Sequence, residues 1–137
     1  QLLAVWTKHN NSPNFGYIGQ FWKYLQVNKA NFDKIIIAGD FNSNKRWDAW
    51  DRWWNHSDVV NELDSMGIKS LYHLLRNEEQ GKETIPTFFM NRNLEKGYHI
   101  DYVFMSDCYT TSGIEIPSTT DWLLYSDHLP LVAEISL

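Results

Sequence analysis

The run Ile35-Ile36-Ile37-Ala38, followed by Gly39-Asp40-Phe41-Asn42, constrains this chain more than any other stretch. A short β-branched run reads as a strand buried on both faces of a sheet. Gly39 lets the backbone turn at its end. Asp40 and Asn42, an acid and an amide two positions apart, then stand at the carboxyl end of that strand, where open α/β sheets keep their ligand sites. The same pair also suits a polar turn in which each side chain bonds its own backbone, so the rest of the chain has to decide between the two.

Leu2 to Trp6 reads as a second strand, followed by a polar turn, Lys8-His9-Asn10-Asn11-Ser12-Pro13. Ile18, Phe21, Trp22 and Leu25 share one helical face and predict a helix from about Tyr17 to Asn28. Strand, helix, strand is a crossover unit, which makes the two strands parallel neighbours. Trp47, Trp50 and Trp54 fall on one helical face and are expected to pack on the sheet; exposed, they would stack on a base or sugar. Ser57 is the expected N-cap of a helix through Val59, Val60, Leu63 and Met66, stopped by Gly67. Ser70 would cap a short helix carrying Leu71, Leu74 and Leu75. Residues 77–83 read as a solvated loop without function, and Thr84 to Met90 as extended. In His99 to Met105, alternation puts Asp101, Val103 and Met105 on one side, and Ile100, Tyr102 and Phe104 on the other. Ser112–Ile116 and Leu131–Ser136 read as the last strands. With 43% apolar residues in 137, and no repeat or internal boundary, the chain is at most one domain.

Several classes are disfavoured. A net charge of −5 argues against a broad polyphosphate-binding surface, although a bound cation can reverse the sign locally. The one cysteine, Cys108, asks for no oxidising compartment, so a cytoplasmic location is expected. No apolar run approaches the roughly 18 residues of a membrane span. The chain opens inside a strand without an initiator Met, and is expected to be part of something longer.

Three features resist a purely structural account. Asp101 is an acid within an apolar strand, costly to bury unless paired or bound to metal. Asp127-His128 sits in a turn just before the last strand. Asp40 and Asn42 end another strand. Acids, an amide and an imidazole together are what metal-assisted phosphate-ester hydrolysis requires. A hard cation such as Mg²⁺ takes carboxylate oxygens. The attacking water needs a base, and an imidazole needs a carboxylate behind it. An amide can donate to a phosphoryl oxygen as charge builds there.

Gly39-Asp40-Phe41-Asn42, His99-Ile100-Asp101-Tyr102 and Ser126-Asp127-His128-Leu129-Pro130 resemble, in order and spacing, the three C-terminal signatures of the endonuclease/exonuclease/phosphatase superfamily, the deoxyribonuclease-I-like fold. Ser70-Leu71-Tyr72-His73 and Pro86-Thr87-Phe88 resemble segments that bacterial members carry between the first two. The resemblance covers essentially all of residues 1–137. It implies an α/β fold: half of a four-layer α/β sandwich, a mixed β-sheet with packed helices, forming the C-terminal part of a single domain whose N-terminal half is missing. It also implies roles. Asp40 would hold and help deprotonate the attacking water, and Asn42 would bind the scissile phosphate. Asp127 would ligate Mg²⁺ or Mn²⁺. His128 would act as base or electrostatic stabiliser, with Asp101 orienting it. The family's principal metal ligand, a Glu, belongs to the absent half. At the end of the first strand, where members often place an active-site residue, this chain has Trp6-Thr7, with His9 as a substitute if the turn brings it back. The implied activity is metal-dependent phosphoester hydrolysis, foremost by a nuclease-like phosphodiesterase, with a phosphodiester substrate and nucleic acid among the candidates. The Ile-Asp-Tyr signature disfavours inositol-phosphate phosphatases. A sphingomyelinase-like phospholipid phosphodiesterase and a catalytically inactive binding module remain as alternatives. Residues 1–137 alone are expected to be nearly inactive, and to cover an exposed sheet face by self-association or with the missing half.

Overall fold

A computed structural model describes residues 1–10 and 14–137. The expected turn at 8–13 therefore lies partly outside the described residues, at Asn11, Ser12 and Pro13. In chain order the elements are β1 (Leu2–Trp6), α1 (Ile18–Asn28), β2 (Ile36–Asp40), α2 (His56–Ser65), β3 (Ile68–Ser70), α3 (Leu71–Arg76), β4 (Phe88–Phe89), β5 (Gly97–Tyr98), β6 (Asp101–Ser106), β7 (Thr110–Glu115), α4 (Thr119–Trp122) and β8 (Val132–Ser136).

The main sheet is mixed, in the order β1-β2-β6-β3. β1 and β2 are parallel, as the α1 crossover requires, while β6 runs antiparallel to both β2 and β3. β7 and β8 form a separate antiparallel pair. The alternation of β6 holds. Tyr102 and Phe104 join Ile37, Phe41 and the apolar faces of α1 and α2 in one core. Val103 and Met105 enter a second cluster with Leu71, Tyr72 and Ile114, flanked by Ile36, Ala38, Ala133 and Ile135.

Gly39 serves a different purpose from the expected turn. It lies within β2, opposite Val5 and Tyr102, at φ +145°, and a Cβ there would fall 1.9 Å from the Val5 carbonyl oxygen. Only glycine lets β1 approach β2 this closely.

Two other local expectations fail for identifiable reasons. The Trp47–Trp54 stretch forms no α-helix: only Lys45–Trp47 makes a 3₁₀ turn, and Trp50 is 98% exposed. The Asn55 side chain ties this segment into a loop. Its oxygen accepts from Ala49 N–H and Arg52 Nε, and its amide donates to the Ala49 and Arg52 carbonyls, competing with helical bonding. α2 accordingly begins after Asn55 rather than at Ser57. The backbone N–H groups of His56 and Ser57 donate to the Asp48 carboxylate, as helix N-termini favour.

Residues 77–83 are not a free solvated loop. The Glu83 side chain is 1% exposed and accepts from Asn44 Nδ2, His73 Nε2 and Gly81 N–H. Burial alone would raise its pKa, but these donors outweigh burial and bring it down to about 2.

Candidate active site

Phe41 is fully buried, edge-on to Phe21 and Tyr102 at centroid distances of 5.1 and 5.6 Å. That anchor fixes the end of β2, with Asp40 and Asn42 on either side of it. Asp40 pairs directly with Asp101 across the antiparallel β2–β6 ladder, so two carboxylates face each other in register at the sheet's end.

The imidazole arrives from a distant segment. Phe89 N–H donates to the Asp127 carbonyl and Leu129 N–H to the Thr87 carbonyl, both at 2.7 Å, and a lone antiparallel bridge joins Phe88 to His128. These bonds fasten residues 127–129 along residues 87–89. The His128 ring settles against Phe88, centroids 4.7 Å apart. Its Nδ1 donates to both Asp101 oxygens, at 3.0 and 3.1 Å, leaving Nε2 4.0 Å from Asp40 Oδ2.

Thr87, fully buried, was not singled out from the sequence as a site residue. Its hydroxyl donates to Asp101 Oδ2 at 2.7 Å and accepts from the Ile100 and Asp101 N–H groups, each at 3.1 Å. It therefore fixes the carboxylate that fixes the histidine. The only sequence signal was the Pro86-Thr87-Phe88 resemblance.

Asn42 has φ +43° and turns inward. Its N–H donates to Asp40 Oδ1, and its amide donates to Asp40 Oδ2 at 2.7 Å and to the Thr7 carbonyl at 2.8 Å. Both amide partners are acceptors, which sets the amide's orientation. The local turn and the site are thus one structure: Asn42 holds Asp40. Thr7 is buried, and His9 is exposed but lines the same cavity as Asn42.

The electrostatics separate the two candidate proton carriers. Burial pushes the Asp40 carboxyl above its ordinary value; Asp101 adds to this, while the bonds from Asn42 and the charge of His128 oppose it. The bond to Asp101 lifts the His128 pKa, against the effect of burial, with Asp40 and Asp127 contributing.

One ligand atom from each of Asp40, Asp101 and His128 lies within 4.8 Å of the others. The carboxylate oxygens suit a hard divalent cation. His128, held through Nδ1 and inclined to carry a proton, suits it less. Asp127 does not belong to this trio.

No protein-family model matches the sequence, and no curated protein matches it. Solved structures do. The chain resembles the 3′ phosphatase NExo from Neisseria bound to product DNA hairpin (TM-score 0.69, 19% identity), over 99% of this chain and 61% of that one. It also resembles the human nocturnin catalytic domain with bound sulfate (TM-score 0.56, 16% identity), over 97% of this chain and 45% of that one. Both have the deoxyribonuclease-I-like fold. The chain spans about three fifths of the NExo length and less than half of the nocturnin domain.

Proposed function

We propose that this chain, whose fold is the deoxyribonuclease-I-like α/β fold of the endonuclease/exonuclease/phosphatase proteins, carries one side of the active site of a metal-dependent phosphoesterase, specifically a nuclease-like phosphodiesterase. The convergence of Asp40, Asp101 and His128 at the carboxyl end of β2 carries the reading. Asp40, more basic than an ordinary carboxylate, takes the proton of the attacking water. His128, protonated and oriented by Asp101, stabilises charge developing on the phosphoryl group. Asn42 holds Asp40; binding the scissile phosphate, the role proposed for it, would draw on an amide hydrogen now bonded to Asp40 or Thr7. Asp127, next to His128 in the chain but outside the Asp40–Asp101–His128 group, is the residue assigned to Mg²⁺ or Mn²⁺ in this proposal. The cation supplies neutralisation of phosphate charge.

Residues 1–137 act in this proposal as the C-terminal part of a single domain, completed by an N-terminal half. The exposure of Leu2, Trp6 and Val132 supports a covering partner for β1 and β8, whether that half or a second copy. In this proposal the substrates are phosphodiesters, nucleic acid among them; the DNA hairpin bound to the NExo neighbour supports that choice. Among the described residues no helix is long and apolar enough to cross a membrane.

The test uses the full-length protein. Asp40→Asn and His128→Ala should each lower phosphodiester turnover at least about a hundredfold, with circular dichroism and melting unchanged. A variant that stays active removes its residue from the mechanism.

A further inference from the structure

Behind the candidate site runs a series of hydrogen-bonded side chains that takes no part in the proposed chemistry, and both of its ends lie on the loop after Asn42. It starts at the Ser43 hydroxyl, which donates to His56 Nδ1 at 3.3 Å. His56 Nε2 donates to Gln80 Oε1 at 3.1 Å, and Gln80 Nε2 donates to His73 Nδ1 at 3.2 Å. His73 Nε2 donates in turn to Glu83 Oε1 at 3.1 Å. From the other side, Asn44 Nδ2 donates to Glu83 Oε2 at 2.9 Å. With the Gln80 amide and the two rings oriented in this way, every bond runs toward Glu83. The series ends on this carboxylate because an ionised carboxylate only accepts.

Ser43 and Asn44 are both buried and follow directly on Asn42, whose N–H and side-chain amide hold Asp40. Asn44 Nδ2 also donates to the His99 carbonyl at 3.0 Å, two residues before Asp101. Asn44 thus joins the segment leaving β2 to the segment entering β6, the two strands on which Asp40 and Asp101 face each other. Glu83 belongs to neither strand and is steadied by the Gly81 N–H at 2.8 Å. Buried hydrogen bonds that point the same way polarise one another, and a mismatched member is costly. Glutamine has the shape of Glu83, but its NH₂ would have to face either Asn44 Nδ2 or His73 Nε2. Both are donors, so one end of the series would have to let go.

We propose that Glu83 is a positioning residue of the site: by ending the donor series from Ser43 and accepting from Asn44, it fixes residues 42–44 and with them the Asn42 amide that aims Asp40. Its effect on turnover rests on the hydrolase reading, whereas its hold on Asn42 can be measured without substrate. Glu83 itself is buried and touches no reacting atom; it acts through Asn44 and Ser43.

The experiment compares the full-length protein with Glu83→Gln and with Val59→Ala, a truncation in the core under α1 and α2 that leaves the series intact. Each is measured below its own melting transition. With bis(p-nitrophenyl) phosphate and Mg²⁺, kcat of Glu83→Gln should fall about 10–100-fold, the scale for losing a partner that orients a reacting group, while KM moves little. Amide hydrogen exchange followed by nuclear magnetic resonance should show the Asn42 N–H exchanging at least about tenfold faster in Glu83→Gln. Val59→Ala should melt earlier but keep both kcat and the Asn42 exchange rate. Gln80→Ala cuts the series midway at a partly exposed position and should also speed Asn42 exchange, which covers the case of Glu83→Gln failing to fold. Unchanged Asn42 exchange in the folded variants overturns the proposal, whether or not the protein hydrolyses phosphodiesters. Unchanged kcat in an active protein does the same, as do equal losses in Val59→Ala, which would reduce the effect to general destabilisation. A parent protein without turnover refutes the hydrolase reading alone, and faster Asn42 exchange in Glu83→Gln then still supports Glu83 as the residue that sets the loop.

Discussion

Replacing Thr87 with valine keeps its shape and removes one hydroxyl, in a fully buried position. That hydroxyl donates to the Asp101 carboxylate at 2.7 Å and accepts from two backbone N–H groups at 3.1 Å. A hydrogen bond to a charged group is worth about 1.5–3 kcal/mol, and each buried N–H left without a partner costs about 1–3 kcal/mol. Some relaxation will recover part of this, so a loss of about 4 kcal/mol is expected for Thr87→Val. At roughly 2–4 °C per kcal/mol for a domain of this order of size, the melting temperature should fall by about 10–15 °C. The loss is comparable with the whole stability of a marginal domain. Thr87→Ser, which keeps the oxygen, should recover most of it. Turnover should divide differently, since Thr87 acts through Asp101 on His128. At a temperature where the variant remains folded, kcat should fall and KM should move little. Differential scanning calorimetry and steady-state kinetics on the three proteins are the assays. If Thr87→Val melts within about 2 °C of the parent with unchanged kcat, the Thr87–Asp101–His128 relay is refuted.

Gly39→Ala places a methyl against the Val5 carbonyl at φ +145°, so it should destabilise by several kcal/mol or prevent folding, as read by soluble yield and urea denaturation. Burial lowers the His56 pKa from 6.5 to about 4. The unfolded chain thus binds a proton that the folded chain refuses, and stability should decline as pH falls from 6.5 toward 4, by up to about 3 kcal/mol. Denaturation midpoints between pH 7 and 4.5 should show this, and His56→Asn should flatten that slope; Glu83, whose pKa is about 2 when folded, loses its contribution only below about 4.5. Trp50→Ala, at a position 98% exposed, should change stability by less than about 0.5 kcal/mol, and a larger shift in the melting curve would place the ring in a packed site.

What could be read from the chain was local and periodic. The Ile35–Asp40 strand, the α1 face and the alternation of β6 depend on near neighbours and on the side-chain period of two or 3.6. The Trp47–Trp54 helix was misread because a helical spacing of aromatics says nothing of Asn55, whose side chain captures the backbone first. Glu83 was passed over because its burial depends on Asn44 and His73, 39 and 10 residues away. Asp40, Asp101 and His128 stood out as chemistry, but their register across β2 and β6, and the support from Thr87, exist only once the chain has folded. Asn42 divided between the two readings: it does bond its own turn, and that bond is what aims Asp40.

The fastening of residues 127–129 onto 87–89 has a consequence in time. On a growing chain, β1, β2 and β6 are all made by Ser106, so both carboxylates can face each other early. The imidazole that contacts them emerges more than twenty residues later, and its segment is held by backbone bonds to Thr87 and Phe89. Until then two acids confront each other with no cation from this chain between them. The Asp40–Asp101–His128 grouping is therefore completed late in synthesis, and a nascent chain cut short before His128 would have its sheet and its two facing acids but no imidazole against them.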